Sequence, residues 1–481
     1  MIILKILLAV VCIIAVLLLI ALINTLAHPQ KKGGSVPEAD QVRALGYAEK
    51  LADIVKLDTV SVSGVTDHPK FLRFHELLKK EYPNVFRVCE YNIVDGGYIL
   101  RWPGRSSEHP VCFLAHMDVV EANPDSWTHD PFGGEIADGR VYGRGSMDNK
   151  CNVMASFQAV EECILEGIVP DQDVYLASSC GEEIGSPVAK EIADWLDERG
   201  VRLSVLCDEG GGITESPMPG LEGIFAMVGV YEKGFGNFTF TAHSTGGHSS
   251  SPGKNNPLAR LAKLIDDVES HLPFKYTVSE EVERTFRLIA PYCSFGLRFV
   301  LMNLWLFKPL IPLVLKRGQI GAMLGTTCVF TMASGANGAN VIPEDATVTA
   351  NLRYSKWQGE AECLRILSAI AAKYDITVSV SDSREASRPV DLSGPGFRLI
   401  SNAVKNVYPG VPLIPFVVTG GTDSRNFESV TDTVIRMSPC IYSAECLATM
   451  HGIDEFLEYK VLPGAVDYYK YLVKHSGELT V

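Results

Sequence analysis

The sequence predicts an α/β protein with a mainly parallel sheet, an inserted α+β domain and an N-terminal transmembrane helix. Three patterns carry that expectation. Between residues 41 and 232, short β-branched or aromatic runs alternate with helical stretches, as in strand–helix–strand units with parallel strands. Between 233 and 384 the order becomes strand, helix, strand, strand, helix, strand, which is ferredoxin-like. The first 27 residues are almost wholly apolar.

The N-terminal segment comes first in the chain. Ile6 to Ile23 carries no charge, with Lys5 before it and His28, Lys31 and Lys32 after it. A spanning helix needs roughly 20 apolar residues; a cleaved signal peptide has a shorter core and a small-x-small site. Thr25-Leu26-Ala27 is a poor cleavage site, so residues 1–27 are expected to form an uncleaved anchor. Residues 28–40 are polar, contain Gly and Pro, and suggest a linker. Two lysines after the span against one before it favour a cytoplasmic catalytic portion. The twelve cysteines form no CxxC pair. Most sit in apolar runs such as Val111-Cys112-Phe113, as buried free thiols do in a reducing compartment.

The main domain is expected over 41–232 and again over 385–481. Its first part has helical spacing at 41–55, 70–81, 151–166 and 187–199, and strand-like runs at 98–102, 111–115, 174–178 and 205–207. The inserted domain, 233–384, has strands near 238–242, 326–333, 346–354 and 376–380, with helices at 256–271 and 360–373. An extra segment, 273–325, interrupts it. There Phe299 to Leu315 is apolar, but Asn303, Lys308, Pro309 and Pro312 argue against a second membrane span. Core packing is the leading expectation, ahead of an apolar flank of a substrate groove.

With 481 residues, 47% hydrophobic and 21% charged, the chain has material for two or three domains of about 100–200 residues each. Its formal charge of −14 and the lack of a basic stripe exclude nucleic acid as a partner.

Five stretches carry acids and histidines, most of them where a strand should end, the place where ligands gather in such sheets. In Leu114-Ala115-His116-Met117-Asp118, imidazole and carboxylate lie two residues apart, on one side of an extended chain. His116 has the setting of a metal ligand and Asp118 that of its orienting partner. In Gly143-Arg144-Gly145-Ser146-Met147-Asp148, glycines permit a tight turn before a helix. Asp148 there is either a helix cap or a ligand. Glu182 and Glu183 follow an apolar strand: an exposed turn, or one ligand and one proton acceptor. Asp208-Glu209 and His451 through Glu455 complete the set. Nitrogen and carboxylate donors without thiolates suit Zn²⁺, with Co²⁺ or Mn²⁺ as substitutes. Two histidines and three or more carboxylates suffice for two ions sharing a carboxylate. No GxSxG elbow appears, which removes a serine hydrolase.

These motifs, in this order, resemble the M20 family of metallopeptidases and aminoacylases over roughly Gln41 to Val473. The branch containing carboxypeptidase S and the secreted N-acyl-amino-acid hydrolase is most similar, through Asn303-Leu304-Trp305-Leu306-Phe307 and Asn340-Val341-Ile342-Pro343. The resemblance implies a zinc-exopeptidase-like catalytic domain with the inserted unit as its lid. It also implies two Zn²⁺, one on His116, Asp148 and Asp208, the other on Asp148, Glu183 and His451. Glu182 would be the general base, Asp118 would orient His116, and His248 would stabilise the oxyanion. Asn340, Arg353, Gly421 and Thr422 would bind substrate, a small peptide or N-acyl amino acid with a free carboxylate. A homodimer through the lid is typical of the family, although the insertion after Pro273 bears on that surface. The branch suggests an extracytoplasmic enzyme, against the lysines and cysteines; the balance leans slightly outward. The competing expectation is a membrane-tethered binding protein that kept the fold and lost catalysis, yet Glu182 and Asp148 are both present.

Overall fold

The computed structural model describes residues 2–63, 68–218 and 220–480. Its main body is an eight-stranded sheet. In spatial order the strands are Glu90–Val94, Gly97–Trp102, Gln172–Ser179, Ser106–His116, Val205–Glu215, Val434–Tyr442, Ile224–Glu232 and Leu413–Val418. Val111, Cys112, Leu114, Val205 and Leu206 are all buried, as expected where both faces of a strand are covered. Gln41–Val55, Lys150–Leu165 and Leu462–Lys474 pack together as the covering helices.

The sheet is mixed rather than mainly parallel. Its central strands are parallel, but three junctions are antiparallel. One is a hairpin between Glu90–Val94 and Gly97–Trp102, closed by Asp95 and Gly96 at φ 43° and 84°. An Asp-Gly pair tolerates positive φ and makes the two-residue turn whose twist matches the strands.

A second, four-stranded sheet is antiparallel throughout, in the order Thr327–Ser334, Asp345–Tyr354, Gly234–His243, Thr377–Arg384. Helices Pro257–His271 and Glu360–Ala371 pack against it, around Phe238, Phe240, Leu264, Val348 and Leu367. Residues 273–325 leave this unit and build a separate apolar cluster, in which Val282, Phe286, Leu304 and Leu324 pack against Phe225 and Ile414 of the main body. Phe299 to Leu315 is thus no continuous span. Prolines and the buried Asn303 divide it among Phe295–Leu301, Leu304–Phe307 and Ile311–Val314.

The N-terminal helix, Ile2–Ala27, is long and apolar enough to cross a membrane, a property signal sequences share. The segment after it is no slack linker. The Lys31 amide donates to the Pro291 carbonyl, Gly33 to Glu222, and Gly34 exchanges both backbone hydrogen bonds with Ile224. All twelve cysteines are free thiols, most of them buried, with Cys12 exposed.

Candidate metal centre

Three neighbouring parallel strands deliver the site from their carboxyl ends. His116 is the last residue of Ser106–His116 and lies opposite Ser179. After Ser179 the chain turns through Gly181 into Glu182 and Glu183. The third strand, Val205–Glu215, reaches Asp208 and Glu209 and then bends at Gly210, whose φ of 101° favours glycine. Asp148 precedes the helix Lys150–Leu165, and its cap position belongs to Asn149. Asp148 is therefore not the cap. His451 comes from a turn after Ala444–Ala448.

Asp148 is the centre of the arrangement. Its Oδ1 lies 3.1 Å from His116 Nε2 and its Oδ2 3.2 Å from His451 Nε2. Glu183 Oε1 is 3.2 Å from His451 Nε2, and Glu209 Oε1 is 3.3 Å from His116 Nε2. His116 Nδ1 lies 2.9 Å from the Asp118 carbonyl. As the donor in that contact, Nδ1 leaves the Nε2 lone pair facing the carboxylates. Two sets of donor atoms, His116–Asp148–Glu183 and His116–Glu182–Glu209, each fall within 4.8 Å of one another.

Asp118 does more than face His116. Its Oδ1 accepts the Glu182 amide and its Oδ2 the Glu183 amide, both at 3.2 Å, and Oδ2 also takes the Ser61 hydroxyl at 2.7 Å. It fixes the turn that presents both glutamates. Glu455 does the same for the Asp148 loop. One oxygen accepts the amides of Gly145, Met147 and Asp148, and the other meets Arg144 Nη1 at 2.6 Å.

The electrostatics are those of a crowded acidic cleft. Burial pushes the Glu209 carboxyl up to about 8, with Asp148 adding to the push. Burial, with Glu209, Asp423 and Glu183 nearby, also holds Glu182 well above the usual carboxylate range despite His116. Hydrogen bonds to Asp148 and Glu183 raise His451 to about 10. Burial opposes charge on His116, but Glu209, Asp118 and Asp148 outweigh it. The partners of these carboxylates are the two imidazoles rather than lysine or arginine. Hard carboxylates with imidazole nitrogens and an excess of negative charge form a donor set that fits divalent cations.

Asp208 and Glu209 meet different partners. Asp208 is buried, and its Oδ2 accepts the Ser424 amide at 2.9 Å, while Glu209 faces His116. Successive side chains of a strand point to opposite sides, so only one of this pair could turn to His116.

The inserted unit contributes from a distance. His248 is exposed on the short strand Gly247–His248, which pairs with Val341–Ile342; its Nδ1 lies 2.7 Å from the Ser250 hydroxyl. The Asn340 carbonyl accepts the Ser249 amide at 2.9 Å. Among the described residues, no hydrogen bond or ion pair joins either to the acidic cluster. Arg353 is half-buried, stacks over Phe235 and donates from Nε to Asn351. Its pKa is lowered by burial and by Arg425, and Glu182 is near enough to oppose that shift. Gly421 packs against Arg425, whose guanidinium a Cβ would strike. Thr422 is buried, with its hydroxyl 2.6 Å from that of Ser424. Arg425, tied to the Thr422 carbonyl at 2.6 Å and held near Glu232, carried no motif that would have singled it out.

Residues 112–475 match peptidase family M20/M25/M40. A probable carboxypeptidase S-like protein of Dictyostelium discoideum is 31% identical over 442 residues, covering 89% of this chain and 85% of the relative. An N-fatty-acyl-amino acid synthase/hydrolase of Xenopus tropicalis is 29% identical, covering 96% and 93%. Among solved structures, an M20 family metallo-carboxypeptidase of Sulfolobus solfataricus superposes with a TM-score of 0.68 at 18% identity, over 89% of this chain and 98% of the other. Human carnosine dipeptidase 1 gives 0.64 at 16% identity, over 92% and 97%. The chain therefore belongs to peptidase family M20/M25/M40 and is an enzyme of the metallopeptidase and amidohydrolase class.

Proposed function

We propose that this enzyme is a membrane-anchored, two-zinc hydrolase of amide bonds next to a free carboxylate. The observation that carries the reading is Asp148, whose two oxygens each address a different histidine. His116, Asp148 and Glu209, in place of Asp208, would hold one ion; Asp148, Glu183 and His451 would hold the other. Co²⁺ and Mn²⁺ suit the same donors. Bound there, zinc supplies Lewis acidity and lowers the pKa of a water towards ~7.

The chain's own groups do the rest. Glu182 takes a proton from the attacking water and later returns it to the leaving amine; its raised pKa suits that exchange. Asp118 keeps Glu182 and Glu183 at their stations. The Arg353 fork receives the substrate carboxylate, beside the loop of Gly421 and Thr422. His248 and Asn340 reach the developing oxyanion when the inserted unit closes as a lid. N-acyl amino acids with an apolar acyl group lead the candidate substrates, in line with the name of the Xenopus tropicalis relative, ahead of the short peptides that the carboxypeptidase S-like name suggests. The helix Ile2–Ala27 acts as the anchor, with the catalytic body on the extracytoplasmic side.

The test is metal content and hydrolysis measured on the same full-length preparation in detergent. About two zincs per chain are expected, with turnover of N-acyl amino acids and a Glu182→Gln variant that keeps metal and loses ~10²–10⁴ in rate. Folded, zinc-supplied protein without bound metal or turnover would leave a binding protein of the same fold.

A further inference from the structure

We propose that Phe295 to Leu315 forms a second membrane contact, a face that lies in the headgroup–acyl boundary of the leaflet where the N-terminal helix ends. The proposal rests on the anchor reading above.

The last turns of that helix are locked to this segment rather than free of it. Asn303 Nδ2 donates to the Ala21 carbonyl at 3.1 Å and to the Thr25 hydroxyl at 3.0 Å. Asn24 Nδ2 donates in return to Asn303 Oδ1 at 3.0 Å and to the Met302 carbonyl at 3.3 Å. Ala21, Thr25 and Asn303 are wholly buried in this knot. The Lys31–Pro291 and Gly34–Ile224 hydrogen bonds then hold the following residues on the body. With no slack between helix and body, whatever surrounds the end of the helix also meets the surface beside it.

That surface is apolar where a soluble enzyme would be polar. Trp305, Leu310, Leu313 and Val314 are 53%, 50%, 68% and 77% exposed, and Phe295 is 48% exposed. Their neighbours Leu301, Leu304 and Ile311 face inward and are buried, so the short helices have one side in the core and the other uncovered. Contiguous apolar exposure of this kind marks an interaction surface. The occupant follows from continuity with Ile23 and Leu26, which are 58% and 63% exposed on the helix itself, and from the chemistry of the rim. Trp305 satisfies its indole N–H on Asn303 Oδ1 at 3.3 Å, so a polar edge and an apolar ring stand side by side, as tryptophan prefers at a membrane interface. Lys308, within the segment, and Arg317, just after it, are paired with Glu283 and Glu269, so the polar edge carries both signs of charge and the apolar face carries the contact.

The experiment uses the full-length chain reconstituted into phosphatidylcholine–phosphatidylserine vesicles, with acyl chains either plain or brominated. Bromine quenches only tryptophan that it touches. The expected result is a quenched component of the emission that disappears in Trp305→Phe and weakens in Leu313→Asp, both variants still floating with the vesicles and still hydrolysing substrate. Equal quenching in parent and Trp305→Phe, with the chain floating, would overturn the second contact and leave the anchor standing. Trp305 shielded from both bromolipid and aqueous iodide would assign the face to a second copy of the chain and also overturn it. Failure to float at all would remove anchor and face together.

Discussion

Asp118→Asn separates orientation of the turn from metal binding. The substitution keeps size and one acceptor oxygen but puts an NH₂ where an oxygen now receives an amide. Asp118 is wholly buried and accepts the amides of both Glu182 and Glu183, so one of those N–H groups would face another donor with no water to replace the lost oxygen. Leaving one buried donor unsatisfied costs ~1–3 kcal/mol. If the turn bears that cost, its productive form is depleted by about one to two decades, in line with the ~10–100-fold effects of groups that support metal ligands. His116 should keep its orientation, because its Nδ1 bond goes to the Asp118 carbonyl, which the substitution spares. The expected outcome is therefore kcat/KM down ~10–100-fold, with two metals still bound by elemental analysis. Parent-like kcat/KM would refute the positioning argument. Loss of both metals would show that the Asp118 carboxylate holds the centre itself.

The remaining outcomes follow from the same geometry. Glu209→Gln should lose one equivalent of metal and nearly all turnover, whereas Asp208→Asn should keep both ions; the reverse pattern in elemental analysis would restore Asp208 as ligand. Chelated protein should lose stability as pH rises. Glu209 and Asp423 hold their protons to about 8 and 7, pushed up mainly by burial, while the unfolded chain releases them near 4.5 and 3.8. The folded state thus binds more protons across that window, and stability falls through it. His451, raised from 6.5 to about 10, has the same sign: its contribution is complete below the lower value and lost through the upper one. Thermal melts in chelator that stay flat or rise from pH 5 to 8 would contradict this. Arg353→Gln should raise KM for carboxylate-bearing substrates by ~10–100-fold, the equivalent of a charge-assisted hydrogen bond of ~1.5–3 kcal/mol, and leave the corresponding neutral esters nearly unchanged; equal losses on both would detach Arg353 from the carboxylate.

What could be read from the sequence was the chemistry that local pattern encodes. His116, Glu182 and Asp208-Glu209 each followed an apolar run, and each run is a central strand whose carboxyl end meets the cleft. Pattern failed where the answer depended on which way a side chain turns. Asp208 and Glu209 are both acids on one strand, and which of them faces His116 depends on the bend at Gly210 and on the Ser424 amide from a segment more than two hundred residues away. Arg425 and the Glu455 clamp on residues 145–148 are likewise products of tertiary contact. The sheet is mixed because Gly97–Trp102 and Ile224–Glu232 run against the central strands; the first was read as a strand without its direction, although Asp95-Gly96 was a legible hairpin turn, and the second was not recognised. The close fit of residues 28–40 to the body was not legible, because a segment containing glycines suits both a loose connection and close approach: Gly33 and Gly34 lie against Phe225 and Val411 where a Cβ would clash.

The Glu455 clamp bears on biosynthesis. Arg144 and Glu455 are 311 positions apart, and His451 belongs to the same late segment, so a ribosome has made everything up to Glu455 before the cleft can exist. Closing so long a loop adds little entropy cost, only ~0.6 kcal/mol per doubling of length. In exchange, truncated products and nascent chains lack both the last histidine and the carboxylate that shapes the Asp148 loop. Hydrolysis by the proposed centre thus requires translation past Glu455, and a protease nick that frees the segment carrying His451 and Glu455 would extinguish it.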